Sequence, residues 1–599
     1  MLERLKSEII YARALSRVVK RTNVVAAAPT KTLGDYLEQW AGAHGDRLAL
    51  SNDRERLTYR QFDARANRYA RWARARGIGK GDAIALLMPN RPEYLAIWFG
   101  LARAGLGVAL INTNLVGAAL AHSLTAVNAK AAIVDASLVS AFDAAAALLK
   151  NPLPVFAHGS NGDGKPRIDI EMETFPDHPL AAGERPSLTI DDPALYVYTS
   201  GTTGLPKAAR ITHSRVLRGM LGFSAVANAT PDDRMYICLP MYHTTGGFLG
   251  PGVALAAGAS LYIREKFSAS AFWSDIAREN CTLFVYIGEL CRYLLNTPPG
   301  PADRAHKVRA GLGNGLRPDI FARFQRRFAI PHVLEFYAST EGNAVMVNFD
   351  SKPGAVGRVP GWAASKFPMR IIAYDVDEHT HPRDPAGHCI LCGTDEVGEL
   401  IAEIRDDPKL PAARFDGYAD PDATKAKILR DVFAPGDMWF RSGDLLKRDK
   451  LGYHYFIDRI GDTFRWKGEN VSTTEVAETL ATFPGVKDAT VYGVAIPGHD
   501  GRAGMAALVV DDVAAFDLAG LRKRVAEALP AYARPLFLRF RADLDVTGTF
   551  KPRKMELVAE GFDPRKVADP LYRDDRATGA YVAVDNAFVA AVGSGAIAL

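Results

Sequence analysis

Between Leu57 and Val134 short aliphatic runs alternate with helix-length stretches, and that alternation restricts the chain to an α/β fold on a largely parallel sheet. Leu57-Thr58-Tyr59 leads into a helix through Arg76, Ala83 to Met88 is a strand, and another helix opens near Pro92. Further strands fit Gly107 to Ile111 and Ala131 to Val134. The apolar run Tyr94 to Ile111 approaches bilayer length, but Arg103 and its small residues mark a buried helix leading to a strand. Residues 150 to 190, with several Pro, Gly and Asp, form a loop-rich connection.

Length sets a prior of about four domain-sized units, to be merged or split by motifs. The balance of 73 basic against 68 acidic residues leaves a net charge of only +5, which gives no reason to expect a nucleic-acid partner. Five cysteines, sparse and odd in number, argue for a reducing compartment, so a cytoplasmic location is expected. Glu3, Lys6 and Glu8 interrupt any signal-peptide core. Residues 2–20 place Leu2, Leu5, Ile9, Ala12, Ser16 and Val19 at helical spacing among Arg4, Lys6, Arg13, Arg17 and Lys20. Such a helix either packs on its own domain or lies as a peripheral contact on the inner face of a membrane.

The chemistry gathers around Tyr196-Val197-Tyr198-Thr199-Ser200-Gly201-Thr202-Thr203-Gly204-Leu205-Pro206-Lys207, a buried strand that enters a polar loop. Hydroxyls of Thr199, Ser200, Thr202 and Thr203, backbone N–H groups around Gly201 and Gly204, and the Lys207 ammonium can converge on phosphate. Pro206 before the lysine and Ala208 after it exclude a Walker A loop. Downstream lie Met241-Tyr242-His243-Thr244-Thr245-Gly246-Gly247, with a histidine beside a flexible glycine turn, and a strand over Leu283 to Leu290 suited to a hydrocarbon channel or a plain core. Next comes a glycine-rich loop from Ala310 to Arg317, in which Gly313 and Gly315 flank Asn314. Phe336-Tyr337-Ala338-Ser339-Thr340-Glu341-Gly342, Arg441-Ser442-Gly443-Asp444 and Asp458-Arg459-Ile460-Gly461-Asp462 follow in order. Cys389-Ile390-Leu391-Cys392 near His379, His381 and His388 is a weak zinc signal without a second cysteine pair.

The ordered set resembles the AMP-forming acyl-CoA synthetases. The strings Gly313 to Asp319, Tyr286 to Leu294 and Gly461 to Val476 look like the fatty acid transport protein, or very-long-chain acyl-CoA synthetase, branch. That resemblance implies a large N-terminal adenylate-forming α/β domain with parallel and mixed sheets, and a small mobile C-terminal α+β lid. The expected division is 1–30 for the N-terminal helix and linker, 31–460 for the AMP- and acyl-binding domain, and 461–599 for the lid and tail.

The resemblance further implies ATP, Mg²⁺ and CoA, with a fatty acid as the partner substrate. Thr199 to Gly204, Lys207, Gly313, Asn314 and Gly315 would hold the nucleotide, and Tyr337 would stack on adenine. Asp444 suits the ribose hydroxyls, Arg459 ribose or phosphate, and Thr340 the α-phosphate. Glu341 is the expected metal ligand, and His243 would lie beside the acyl group. Gly461 and Asp462 would form the hinge, with Gly468 at the pantetheine tunnel. Thr547-Gly548-Thr549-Phe550-Lys551 departs from the commoner Thr-Gly-Lys, which makes Lys551 the expected adenylation lysine and Lys554 the reserve. The expected activity is ATP-dependent ligation of a long- or very-long-chain fatty acid to CoA through an acyl-adenylate. A ligase for a bulkier acid, such as a steroid side chain or carnitine, and a non-enzymatic fatty-acid carrier are the alternatives. Oligomeric state is open, a homodimer being one option.

Overall fold

The computed structural model describes residues 2–160, 164–199, 206–376, 378–407, 413–467, 469–497, 501–544, 554–594 and 596–597. Two large sheets share one core. The first runs in strand order 345–347, 332–338, 310–314, 283–287, 234–237, 260–263, 48–51, 56–58, parallel except at its two outermost pairings. The second runs 155–158, 131–135, 83–87, 107–110, 193–199, 207–212, with the last strand antiparallel. The parallel strands are buried along their length, as at Ala83–Leu87 and Ala131–Asp135, because helices cover both faces.

The Pro92–Arg103 helix is buried on every side, so its two charged ends need partners: Glu93 pairs with Arg65 and accepts from Tyr69 at 2.5 Å, and Arg103 donates to Asp63 at 2.6 Å and to the Gly34 carbonyl at 2.8 Å. A third, antiparallel sheet carries Met438–Arg448 between Gly398–Glu403 and Tyr453–Arg459. Beyond it a separate apolar core begins at Phe464 and extends to Val592, around the five strands Val486–Ala495, Arg502–Val510, Phe537–Arg541, Leu571–Asp575 and Ala580–Ala583.

Three expectations change. The strand at Leu283 ends at Ile287, and Gly288–Asn296 is a helix whose first residue abuts the Gly315 carbonyl so closely that any side chain there would overlap it. Phe284 of that strand packs among Phe272, Trp273 and Phe324, so its ring belongs to the aromatic core. The glycine-rich stretch at 310–314 is a strand, glycine being needed at 311 and 313 because the rings of Phe284 and Tyr286 occupy the space of a Cβ. Third, Gly246 and Gly247 belong to a π-helical turn, Thr245–Leu249, and they let the backbone fold back onto the Leu239, Pro240 and Met241 carbonyls. Flexibility is not their role.

The N-terminal helix, Leu2–Ala27, docks on the His213–Val226 helix and buries Tyr11, Ala14 and Val25. Glu8 pairs with the buried Arg358 and accepts from Trp362, while Arg21 donates to Ser224 at 2.8 Å. Packing on its own domain is therefore one face of the helix. Leu5, Ile9 and Val19, three of the residues picked out by spacing, point outward at 59%, 43% and 44% exposure.

Candidate active site

Thr199, His243, Thr244, Asn314, Thr340 and Glu341 close or follow parallel strands at their carboxyl ends, the edge where an open α/β sheet leaves its ligand crevice, while Asp444 and Arg459 come from the antiparallel sheet. Thr199 closes the Pro193–Thr199 strand and faces Lys207 in register across the turn; Ser200, Gly201, Thr202, Thr203 and Gly204 of that turn lie outside the described residues. His243 and Thr244 follow the Arg234–Ile237 strand. Asn314 ends Ala310–Asn314, and Gly315 follows it at φ +78°, a left-handed conformation that favours glycine. Thr340 and Glu341 follow His332–Ala338.

Hydrogen bonds join these turns. Thr340 and Thr244 share a bond of 2.9 Å between their hydroxyl oxygens. The Ser339–Gly342 turn is braced by half-buried Arg215, which donates to the carbonyls of Ser339, at 3.0 Å, and Gly342. Burial lowers the Arg215 pKa, while Asp416 and Glu341 act against that shift. Glu341 is 9% exposed, with the Lys427 ammonium 4.0 Å from its carboxylate. Tyr418 stands beside Glu341 and Thr199; burial first, then the Glu341 carboxylate, push its phenol far above the ordinary range, and Thr199 acts against that shift. It arrives because residues 417–419 pair with the Lys207–Thr212 strand, Gly417 accepting from Arg210 and Ala419 donating to Ala208.

At the ribose end, Tyr337 donates its phenol to Asp444 Oδ2 at 2.6 Å, and Arg459 Nε is 3.5 Å from Asp444 Oδ1. Asp444 and Arg459 are directly opposed across neighbouring strands. The Ser442-Gly443-Asp444 segment is held by Glu399, fully buried, which accepts from the Gly443 N–H at 3.0 Å and from His381 at 2.6 Å. Burial pushes the Glu399 pKa up, but His381 and Arg441 outweigh it and the net shift is downward. His381 thus serves this carboxylate, and among the described residues no three His, Cys, Asp or Glu side chains cluster as a metal site.

Behind the nucleotide turn, Glu335 accepts from Gly315 N–H at 3.1 Å, Leu316 N–H at 3.0 Å and the Tyr286 hydroxyl at 2.8 Å. Burial pushes its pKa up to about 8. At the other end of the site Gly461, at φ +98°, and Asp462 follow Arg459 in a tight turn. Lys554 donates to Thr473 Oγ1 at 2.7 Å and to Asp462 at 3.3 Å, while Lys551 and Gly468 lie outside the described residues. The oxygen-only set of Glu341, Thr340, Thr244, Tyr418 and Thr199 suits a hard divalent cation carried with a triphosphate.

Residues 37–401 match the model of the AMP-binding enzyme family, and residues 475–551 that of the AMP-binding enzyme C-terminal domain. The chain belongs to the AMP-binding enzyme family. Within this family it stands in the fatty acid transport protein branch. It is 44% identical over 522 residues to human long-chain fatty acid transport protein 3, covering 86% of this chain and 76% of that one. Rat long-chain fatty acid transport protein 2 is 41% identical over 560 residues, covering 92% and 89%. The fold also matches ATP-bound MatB from Rhodopseudomonas palustris, at TM-score 0.73 and 24% identity over 88% of this chain and 98% of that one. Like other AMP-binding enzymes the chain is an ATP-using, AMP-forming ligase.

Sequence reading missed Thr244, Tyr418, Lys427 and Arg215. Thr244 stood beside a histidine that drew attention away from it, and the other three lie in segments of ordinary composition.

Proposed function

We propose that this enzyme activates long- or very-long-chain fatty acids, first as acyl-adenylates and then as CoA thioesters. The observation that carries the reading is the Tyr337–Asp444 hydrogen bond, which ties the strand leading to Thr340 and Glu341 to the Asp444–Arg459 pair, in a chain whose relatives are named for long-chain fatty acids. A carboxylate is a poor electrophile, and linking it to AMP with loss of pyrophosphate makes its carbonyl open to a thiolate. Mg²⁺, when bound, neutralises charge on the leaving pyrophosphate. Glu341 and its neighbouring hydroxyls would hold the ion, Thr199, Lys207 and the intervening turn the phosphates, Gly313, Asn314 and Gly315 the adenine, and Asp444 with Arg459 the ribose. Tyr337 lines that pocket and sets the Asp444 carboxylate through its phenol. His243 takes the acyl side, Lys551 the reacting carboxylate, and Gly468 the pantetheine path.

We place the domain boundaries at 1–30, 31–460 and 461–599, with the pivot at Gly461 and Asp462. The outward Leu5, Ile9 and Val19, flanked by exposed Arg4, Lys6, Arg13 and Lys20 and with Trp362 nearby at 53% exposure, form a peripheral membrane contact on an anionic leaflet. Among the described residues no helix is long and apolar enough to cross a membrane. A carrier without catalysis has no use for the carboxylate and cation set around the triphosphate.

The decisive measurement is pyrophosphate release from ATP that depends on fatty acid, followed by AMP release that depends on CoA. Neither reaction with any chain length would end the proposal. Glu341→Gln should abolish the first step, and flotation with phosphatidylserine vesicles should be lost when Leu5, Ile9 and Val19 become serine.

A further inference from the structure

Besides the Asp458–Thr473 bonds beside the hinge, an arginine of the large domain reaches the lid. Arg292, on the helix Gly288–Asn296, has a side chain only 7% exposed and spends all three nitrogens on defined partners. Nε donates to Glu289 at 2.7 Å, Nη1 to the Lys487 carbonyl at 2.6 Å, and Nη2 to Asp488 at 2.7 Å. Lys487 and Asp488 belong to the lid strand Val486–Ala495, so two of the three contacts cross between domains. The planar guanidinium meets the carbonyl and the carboxylate from two different nitrogens, a fork that an ammonium, with all its donors on one atom, does not reproduce. Tyr293, the next residue, lies in the field of lid residue Asp543.

The helix that carries Arg292 also touches the nucleotide turn. Its first residue, Gly288, abuts the Gly315 carbonyl, and Arg317 at the end of that turn faces lid residue Glu478. Lid docking and the shape of the nucleotide turn therefore share one rigid element. In this docked arrangement Lys554, three residues after Lys551, is held at the hinge by Asp462 and Thr473, close to the Asp444–Arg459 pair. The hairpin Phe464–Val471 pairs Trp466 with the lid's own Gly501.

From this we infer that Arg292 is a positioning residue, a latch that holds the lid in the arrangement for adenylation and releases it for thioester formation. The inference rests on the ligase reading given above. Opening the latch exposes Arg292 and Asp488 to water, so its cost is modest in the wild type; deleting Arg292 leaves the Asp488 carboxylate and the Lys487 carbonyl without their shared donor, and deleting Asp488 removes one of the two contacts that cross between domains, so either change disfavours that arrangement selectively.

The experiment separates the half-reactions in the full-length protein. Oleate-dependent exchange of pyrophosphate into ATP reads adenylation, and thioester formation from synthetic oleoyl-adenylate and CoA reads the second step. Arg292→Ala should lower exchange roughly tenfold or more, with a raised KM for ATP, and change the second step by less than about twofold. Asp488→Ala should do the same, and the double variant should lose little beyond either single one. Arg292→Lys, which keeps charge and bulk, should fall between and covers the event that the alanine variant does not fold. Equal losses in both half-reactions, no loss in either, or additive losses in the double variant would overturn the latch. Wild-type protein inert in both assays would remove the ligase reading and the latch with it.

Discussion

Thr244 Oγ1 lies 2.9 Å from Thr340 Oγ1, so the turns that follow two different parallel strands are tied by their hydroxyls at the mouth of the crevice. A hydroxyl already engaged by a neighbour is held in one rotamer, and Thr340 meets a phosphate oxygen without first losing conformational freedom.

Removing Thr244's hydroxyl should therefore weaken adenylation without touching the fold. Thr244→Val is expected to lower kcat/KM for ATP–pyrophosphate exchange by about 1–2 kcal/mol, roughly five- to thirtyfold, and Thr244→Ser to restore most of it. Thr340→Val should cost at least as much. A Thr244→Val enzyme with unchanged kcat/KM would show that the pair has no part in phosphate alignment.

Glu335 gives a pH prediction. Its folded pKa is raised to about 8 by burial, from an ordinary value of 4.5, so between those limits the folded protein keeps a proton that the unfolded chain has released. The contribution is fully present at low pH and is lost as pH rises through 8, because there the folded state must ionise a carboxyl in the core or give up its packing. Thermal unfolding of wild type and Glu335→Gln across pH 5 to 9 checks this: the difference in Tm should move in favour of the glutamine variant as pH rises. In the same variant the amide N–H₂ replaces one of the two oxygens and must face either the Gly315 donor or the Leu316 and Tyr286 donors, and KM for ATP is expected to rise several-fold.

The two lysines at the end of the lid should separate cleanly. Lys554 is engaged by Thr473 and Asp462 at the hinge, so Lys554→Ala is expected to perturb lid motion and slow overall turnover while retaining substantial pyrophosphate exchange. Lys551→Ala should lose exchange by two or more orders of magnitude, in keeping with removal of a charge that acts at the reacting centre, yet still convert synthetic acyl-adenylate to thioester. A reversed pattern would make Lys554 the adenylation lysine.

Much of this site could be read from the chain because its parts are local strings. Tyr337 to Gly342 and Asp458 to Asp462 each fold as a strand end and a turn, and Ser442 to Asp444 lies within the single strand Met438–Arg448, so spelling and position coincide. Tyr418 and Lys427 could not be read that way. Tyr418 reaches Glu341 only because its backbone pairs with a strand more than two hundred residues earlier, at Ala209. Nothing in the composition of 413–430 anticipates that pairing. Glu335, just before Phe336, carries no signal in the sequence, since its work is done behind the ligand turn, where only burial and three donors disclose it. The sequence reads Gly246 and Gly247 as a flexible turn and Gly313 as part of a nucleotide loop, and the fold uses all three for close packing of its own chain.

The π-helical turn Thr245–Leu249 holds one residue more than an α-helical turn would close over. Gly250–Leu255 continues directly from it, seated on Ile237 and Met220. Trimming the chain by a single position at this turn would swing that helix by about 100° relative to His243 and Thr244. The surplus residue works as a vernier: it sets the angular phase between the catalytic lip and the wall behind it, and a one-residue deletion here should be far less forgiving than any substitution.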